Sequence, residues 1–214
     1  MDNNVEHGSL YSLARGIEDS SNAMQCANAG LYDSDNNLLC TWEQSGLDLE
    51  RDDNAERVEK YFPTAKTLVI CCDKVNDTIC LNSFIHCTGV ETVIIRGANI
   101  IVGSRAFSDC KSLKYVSIQC TSVSIGISAF SDCTMLQKVE ISGVVLGHNY
   151  GFNYCTALTH ISFKSTLLLL DAEFFAGCKR LSSISAENCS PENCSLTIKK
   201  DRIVPIEARL KDEE

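Results

Sequence analysis

Thirteen cysteines in 214 residues are the side chains with the most chemical potential in this chain. Thiolates hold zinc when they come as Cys-x-x-Cys pairs or with histidine partners, and in small exported domains they form disulfide frameworks. Most of these cysteines follow another pattern. Cys87, Cys110, Cys133, Cys155 and Cys178 recur at steps of 23, 23, 22 and 23 residues, each three residues after a phenylalanine (Phe84, Phe107, Phe130, Phe152, Phe175). A thiol placed once per period beside an aromatic ring reads as a small buried hydrophobe, free and unreactive. Cys71-Cys72, Cys80 and Cys120 lie in or near strands and turns. Cys189 and Cys194 flank Ser-Pro-Glu-Asn and are the pair expected to join in an oxidising setting; no histidine stands near them to complete a metal site.

The remaining candidates are weaker. Asp33-x-Asp35-x-Asn37 opens like a calcium loop, but Leu38 stands where glycine is needed and Gln44 where a bidentate glutamate should be, so a solvated turn is expected. His7, His86, His148 and His160 show no ligand or catalytic spacing. No Ser/His/Asp arrangement, glycine-rich phosphate loop or carboxylate pair is recognisable. The expectation is therefore no catalytic residue, no cofactor and no bound metal. Asn76-Asp-Thr78, Asn188-Cys-Ser190 and Asn193-Cys-Ser195 match the N-glycosylation pattern, which matters only if a eukaryote secretes the chain.

What must position these residues is a repeat. After each Phe and Cys come an aliphatic residue (Val90, Leu113, Leu136, Leu158, Leu181), a second (Val93, Val116, Val139, Ile161, Ile184) and a closing apolar position (Ile95, Ile118, Ile141, Phe163, Ala186). A period in the low twenties is that of leucine-rich repeats. Phe-x-x-Cys-x-x-Leu puts three residues on one side of a short helical or 3₁₀ segment, and Leu-x-x-Val-x-Ile ends in the alternation of a strand with one buried face. The fold class expected is an α/β repeat: a right-handed leucine-rich-repeat solenoid with one short strand and one helical or irregular segment per turn of about 23 residues, and an N-terminal cap. The five phenylalanines should form an internal ladder. A second apolar cluster precedes each Phe (Ile100/Val102, Val123/Ile125, Val145/Leu146, Leu168/Leu170), and Gly103, Gly126 and Gly147, then Asp171, follow at a bend. The 22-residue step is ascribed to a short turn over Ile141–Leu146, partly offset by an extra residue near His148.

Residues 1–27 are expected to be a loose N-terminal segment, with a helix on Leu10, Leu13, Ala14 and Ile17. Residues 28–65 read as the N-terminal cap: strand, Asp33–Asn37 turn, a strand running to Trp42, then a helix from Asp53 to Phe62. Residues 66–190 form the solenoid, with Lys66–Cys72 its first strand. Residues 191–214 form a C-terminal cap, with a last strand over Ser195–Val204, and a charged tail. If Leu-x-x-Val-x-Ile points inward, the outer sheet face displays Thr92, Ile94 and Arg96; Tyr115, Ser117 and Gln119; Lys138, Glu140 and Ser142; His160, Ser162 and Lys164; and Ser183, Ser185 and Glu187. Solenoids commonly bind on this face, and tyrosine and arginine are enriched at energetic hot spots. The candidate partner-binding residues are Ile94, Arg96, Tyr115, Gln119, Lys138, Glu140, His160 and Lys164.

The unit G-x-x-A-F-x-x-C-x-x-L-x-x-V-x-I, complete in Gly126–Ile141 and Gly103–Ile118, resembles the BspA-type leucine-rich repeat of bacterial and protist surface proteins. Leu31–Trp42 looks like the segment that often precedes such repeats. The resemblance implies a non-enzymatic protein that recognises other proteins, several relatives being adhesins.

The net charge of −9 lies wholly in residues 1–60, with 13 acidic and 4 basic residues, leaving the repeat body neutral. No basic stripe points to nucleic acid, and no apolar run reaches the roughly 18 residues of a membrane helix. The function expected is a protein–protein interaction scaffold; the alternatives are a surface adhesin or a structural, self-associating repeat protein. The sequence does not fix the compartment. Cysteines in core roles, and no basic-then-apolar leader as written, favour the cytoplasm, and removal of a signal sequence would place the chain outside the cell.

Overall fold

The computed structural model describes residues 29–72, 77–190 and 193–196, residues 194–196 by their backbone alone. The expected N-terminal helix, and the last strand beyond Leu196, lie outside the described residues. Strands β3 (Thr67–Cys72), β5 (Thr92–Gly97), β7 (Tyr115–Ile125), β8 (Lys138–Gly147), β9 (His160–Lys164) and β11 (Ser183–Glu187) form one parallel ladder in that order. Thr92, Tyr115, Lys138, His160 and Ser183 are register partners across it, so the backbone repeats with the period of the sequence. The chain is a solenoid of about five turns.

Each turn holds two strands where the sequence suggested one. β4 (Asp77–Ile79), β6 (Asn99–Val102), the second halves of β7 and β8, β10 (Leu168–Leu170) and β12 (Cys194–Leu196) make a second parallel ladder from the apolar cluster before each Phe. Val123 and Ile125 are buried there between Ile100/Val102 and Val145. In the fourth turn Gly147, not Leu146, aligns with Ile125, and Leu146 points out, 40% exposed. The bend position is consequently filled by Gly103, Gly126, His148 and Asp171, whose N–H groups donate to Ile79, Val102, Ile125 and Gly147.

The 22-residue step has a single cause. Cys120-Thr121 of β7 is answered in β8 by Gly143 alone, and no compensating residue occurs near His148. Gly143 has φ +109, and a Cβ there would come within 2.9 Å of the Cys120 carbonyl carbon and of the Thr121 oxygen, so the deletion requires glycine.

The Phe-x-x-Cys corner is a run of turns instead of a helix. Asn82, Arg105, Ser128 and Tyr150 have positive φ two residues before Phe84, Phe107, Phe130 and Phe152, and His86, Asp109, Asp132 and Tyr154 do so one residue before Cys87, Cys110, Cys133 and Cys155. These left-handed residues interrupt any helix. N–H groups of one corner donate to the next turn, as in Arg105 to Ile127, Phe107 to Ala129 and Asp109 to Ser131. The thiols continue that bonding: Cys110, Cys133, Cys155 and Cys178 donate to the carbonyls of Phe84, Phe107, Phe130 and Phe152 at 2.9–3.2 Å. Each cysteine is thus a small apolar filler that also satisfies a carbonyl one turn away. All five corner thiols are free and buried, as their spacing implied.

Four phenylalanines stack. Phe84, Phe107, Phe130 and Phe152 lie 4.8–5.1 Å apart, within 3° of parallel. The expected fifth rung is different, because Phe175 is only partly buried and lies 6.3 Å from Phe152, tilted by 26°. Phe174 is the fully buried ring, meeting Phe152 edge-on at 5.5 Å. It occupies the small-residue position of Ala106, Ala129 and Gly151, as the bonds from each preceding Phe N–H show. Gly151 makes room for it: a Cβ at 151 would meet the Phe174 ring at 2.7 Å from Cδ2 and 2.9 Å from Cζ.

Before β3 the chain forms an antiparallel hairpin, β1 (Gly30–Tyr32) and β2 (Leu38–Thr41), with β1 also antiparallel to β3. The Asp33 carboxylate accepts from the N–H groups of Asp35 and Asn37 and from the Asn37 amide, so its oxygens are occupied in closing the turn. Trp42 does not continue β2; it opens helix α1 (Trp42–Ser45), which Thr41 and Gln44 close with a reciprocal capping box. Helix α2 (Asn54–Tyr61) buries Ala55 and Val58. The buried Asn54 fastens it, donating to the Asp48 carbonyl at 2.6 Å and to Ser83 Oγ at 2.7 Å.

Candidate partner-binding face

The parallel register brings the eight candidate residues onto one face in three rows. The first row runs Thr92, Tyr115, Lys138, His160, Ser183; the second Ile94, Ser117, Glu140, Ser162, Ser185; the third Arg96, Gln119, Ser142, Lys164, Glu187. The rows differ sharply in exposure along the stack.

At the β5 end the face is closed, which corrects the expectation for two candidates. Ile94 is 1% exposed and Arg96 2%, with Thr92 and Ser117 also buried. Ile94 joins Tyr32 of β1 and Val69 of β3 in an apolar cluster separate from the core. Arg96 Nε donates to Gln119 Oε1 at 3.3 Å, while Nη1 and Nη2 are buried without a hydrogen-bond partner. Burial lowers the pKa of this guanidinium, opposed by the adjacent Tyr32.

From β7 onward, Ser117 apart, the face is open. Tyr115, Gln119, Lys138 and Glu140 are half-buried, and His160 and Lys164 are exposed. Tyr115 donates its hydroxyl to Glu140 at 2.5 Å, Lys138 Nζ lies 2.7 Å from the other Glu140 oxygen, and the same Nζ sits 5.9 Å from the Tyr115 ring centre. Burial would raise the Glu140 pKa, but the bonds from Lys138 and Tyr115 outweigh it and hold the carboxyl below its ordinary value. Burial, then the bond to Glu140, raises the Tyr115 phenol. Across β8, β9 and β11, Lys138, Glu140, His160, Ser162 and Ser185 line a shallow concavity of about 630 Å³.

Sequence reasoning missed Tyr32 and Val69 as outer-face residues. The signal was present: Leu68-Val-Ile70 and Val93-Ile-Ile95 are continuous apolar runs, which mark strands buried on both faces, whereas Val116-Ser-Ile118 and Val139-Glu-Ile141 alternate.

Among the described residues no group of three or more His, Cys, Asp or Glu side chains is placed to hold a metal ion, and no helix is long and apolar enough to cross a membrane. Cys189 is disulfide-bonded, as is Cys71; of Cys194 only the backbone is described. The chain matches the family model described as BspA type leucine rich repeat region, in six copies over residues 77–195. Comparison with curated proteins and with solved structures found no match.

Proposed function

Because the chain belongs to the BspA-type leucine-rich repeat family, we propose that it is a non-enzymatic protein-interaction scaffold whose protein partner binds the open part of the outer face, over β7, β8 and β9. The observation that carries this reading is the Tyr115–Glu140–Lys138 cluster, whose side chains already hold one another in place. A tyrosine fixed by its hydroxyl presents its ring at little entropic cost on binding, and the rigid parallel ladder beneath keeps the neighbouring groups in register. Gln119, His160 and Lys164 surround it with donors and acceptors. Ile94 and Arg96, being buried, drop out of the proposed contact set. In this reading the β1–β2 hairpin and α2 serve as the N-terminal cap of the stack.

A second reading, a surface adhesin, draws support from Cys71 and Cys189. Stable disulfides belong to oxidising compartments, contrary to the reducing interior that the cysteine spacing favoured.

The test is cross-linking of the purified chain in extracts, followed by mass spectrometry of the captured proteins. Tyr115→Ala and Lys138→Glu should each lose the partner that the wild type captures, with folding unchanged by circular dichroism. Equal capture by both variants would place the contact elsewhere.

A further inference from the structure

Over β8 and β9 the open face spends its acceptors internally and leaves donors free. Both Glu140 oxygens are taken, one by the Tyr115 hydroxyl and the other by Lys138 Nζ. Gln119 Oε1 already accepts from Arg96 Nε. Lys164, by contrast, forms no ion pair among the described residues, although it lies close enough to Glu140 to help hold that carboxyl below its ordinary value. The hydroxyls of Ser162, Ser183 and Ser185 have no hydrogen-bond partner among the described residues either, and all three line the concavity of about 630 Å³. With Glu140 neutralised by Lys138, Lys164 is a surplus positive charge beside a row of unused hydroxyls. We infer that the protein partner of this face presents an acidic segment, one of whose carboxylates is bound by Lys164 Nζ and the Ser162 hydroxyl.

The inference rests on the proposed function and names the chemistry of its partner. Register supplies the geometry. Ser162 and Lys164 point to the same side of β9, about 7 Å apart along the strand, a gap that the long lysine side chain can close. Ser162 stands between Glu140 on β8 and Ser185 on β11. A carboxylate has two acceptor oxygens and no donor, so it suits an ammonium and a hydroxyl side by side. Glu187, the register partner of Lys164 on β11, opposes such a guest and sets the limit of the site on that side.

His160 adds a dependence on pH. The Thr159 hydroxyl gives its proton to the Gln137 carbonyl at 3.2 Å, so the 2.8 Å contact between His160 Nδ1 and Thr159 Oγ1 is donated by Nδ1. Neutral His160 therefore offers a lone pair at Nε2, which a carboxylate cannot use. Protonation turns Nε2 into a donor and adds a positive charge. The charged groups that share its face are Lys138 and Glu140 on β8, Lys164 on β9 and Glu187 on β11. Acid thus favours the acidic segment until the segment's own carboxylates protonate, below about pH 5.

The test is fluorescence anisotropy of the full chain with a short fluorescein-labelled peptide alternating glutamate and glycine, at low salt, against the same peptide with glutamine for glutamate. The glutamate peptide should bind, and the glutamine peptide should bind about tenfold more weakly or not at all. Lys164→Ala should weaken the glutamate peptide about tenfold, the scale of one lost charged hydrogen bond. Lys60→Ala, which removes an equal charge from α2, should leave it unchanged. Glu187→Gln should tighten it. Affinity should rise from about pH 8 to about pH 5, and His160→Ala should flatten that rise. No binding of the glutamate peptide, equal binding of the glutamine peptide, or equal losses in Lys164→Ala and Lys60→Ala would overturn the inference. A protein captured through Tyr115 whose contact segment lacks carboxylates would also overturn it, while leaving the proposed function intact. Peptide binding that depends on Lys164, with capture indifferent to Tyr115→Ala and Lys138→Glu, would do the reverse.

Discussion

Gly151→Ala tests the packing logic of the stack most sharply, because the same substitution restores the residue type found one and two turns earlier. Ala129 and Ala106 hold this position with room for a methyl group. At 151 the methyl would strike the Phe174 ring, 2.7 Å from Cδ2 and 2.9 Å from Cζ. The ring cannot swing away freely, being fully buried between Phe152 at 5.5 Å and Phe175 at 4.8 Å. Overpacking of this kind costs about 1–3 kcal/mol, partly offset by about 0.4–1 kcal/mol from stiffening the unfolded chain. Phe174→Ala alone should cost about 3–5 kcal/mol through the cavity it leaves. With the ring gone, the methyl group introduced at position 151 should sit as that of Ala129 does. The double variant should then be no less stable than Phe174→Ala, a coupling of about 1–3 kcal/mol between the two sites. Urea unfolding followed by far-ultraviolet circular dichroism gives all four corners of the cycle. Additivity within about 0.5 kcal/mol, or a Gly151→Ala variant more stable than wild type, would refute the reasoning.

Three further outcomes follow from the same geometry. Cys133→Ala removes both a buried sulfur and the donor to the Phe107 carbonyl, and should cost about 1–3 kcal/mol, while Cys133→Ser, which keeps a donor, should cost less in the same unfolding assay. Burial, then the neighbouring Cys110, pushes the Cys87 thiol up to about 12 from an ordinary 9.0. The unfolded chain therefore loses this proton first, so the thiol's contribution to stability is complete below pH 9 and is lost as pH rises towards 12; Cys87→Ala should flatten the alkaline limb of a stability–pH curve over that window. Gly143→Ala should destabilise by about 1–3 kcal/mol through its φ of +109 alone, and reinstating the missing residue after Gly143 should restore tolerance, both read as shifts in urea midpoint.

Much of the fold was written in the spacing. Five recurrences of Phe, Cys and three apolar positions set the period, and parallel strands in register with that period are the arrangement that buries every copy against its neighbours. Which strand residues share a face followed from alternation, and the free state of the corner thiols from their burial. The limits arose where one residue's role depends on another turn. Phe174 and Phe175 are adjacent, and only the empty space over Gly151 decides which ring goes inside. The offset of Gly147 from Gly103 and Gly126 appears once strand register is known, because a one-residue deletion inside a turn shifts every later position.

The candidate site divides along the same line. Sequence alone determined that Tyr115, Lys138, Glu140 and His160 face outward together, since strand alternation is a local property of the backbone. Whether an outward residue meets solvent is not local. Arg96 occupies the position equivalent to the half-exposed Gln119 on β7 yet lies buried, and Ile94 is buried with Val69 beside Tyr32, which an antiparallel hairpin that precedes the repeats brings over them. That closure and the four-ring stack are consequences of distance in space, which only the tertiary structure supplies.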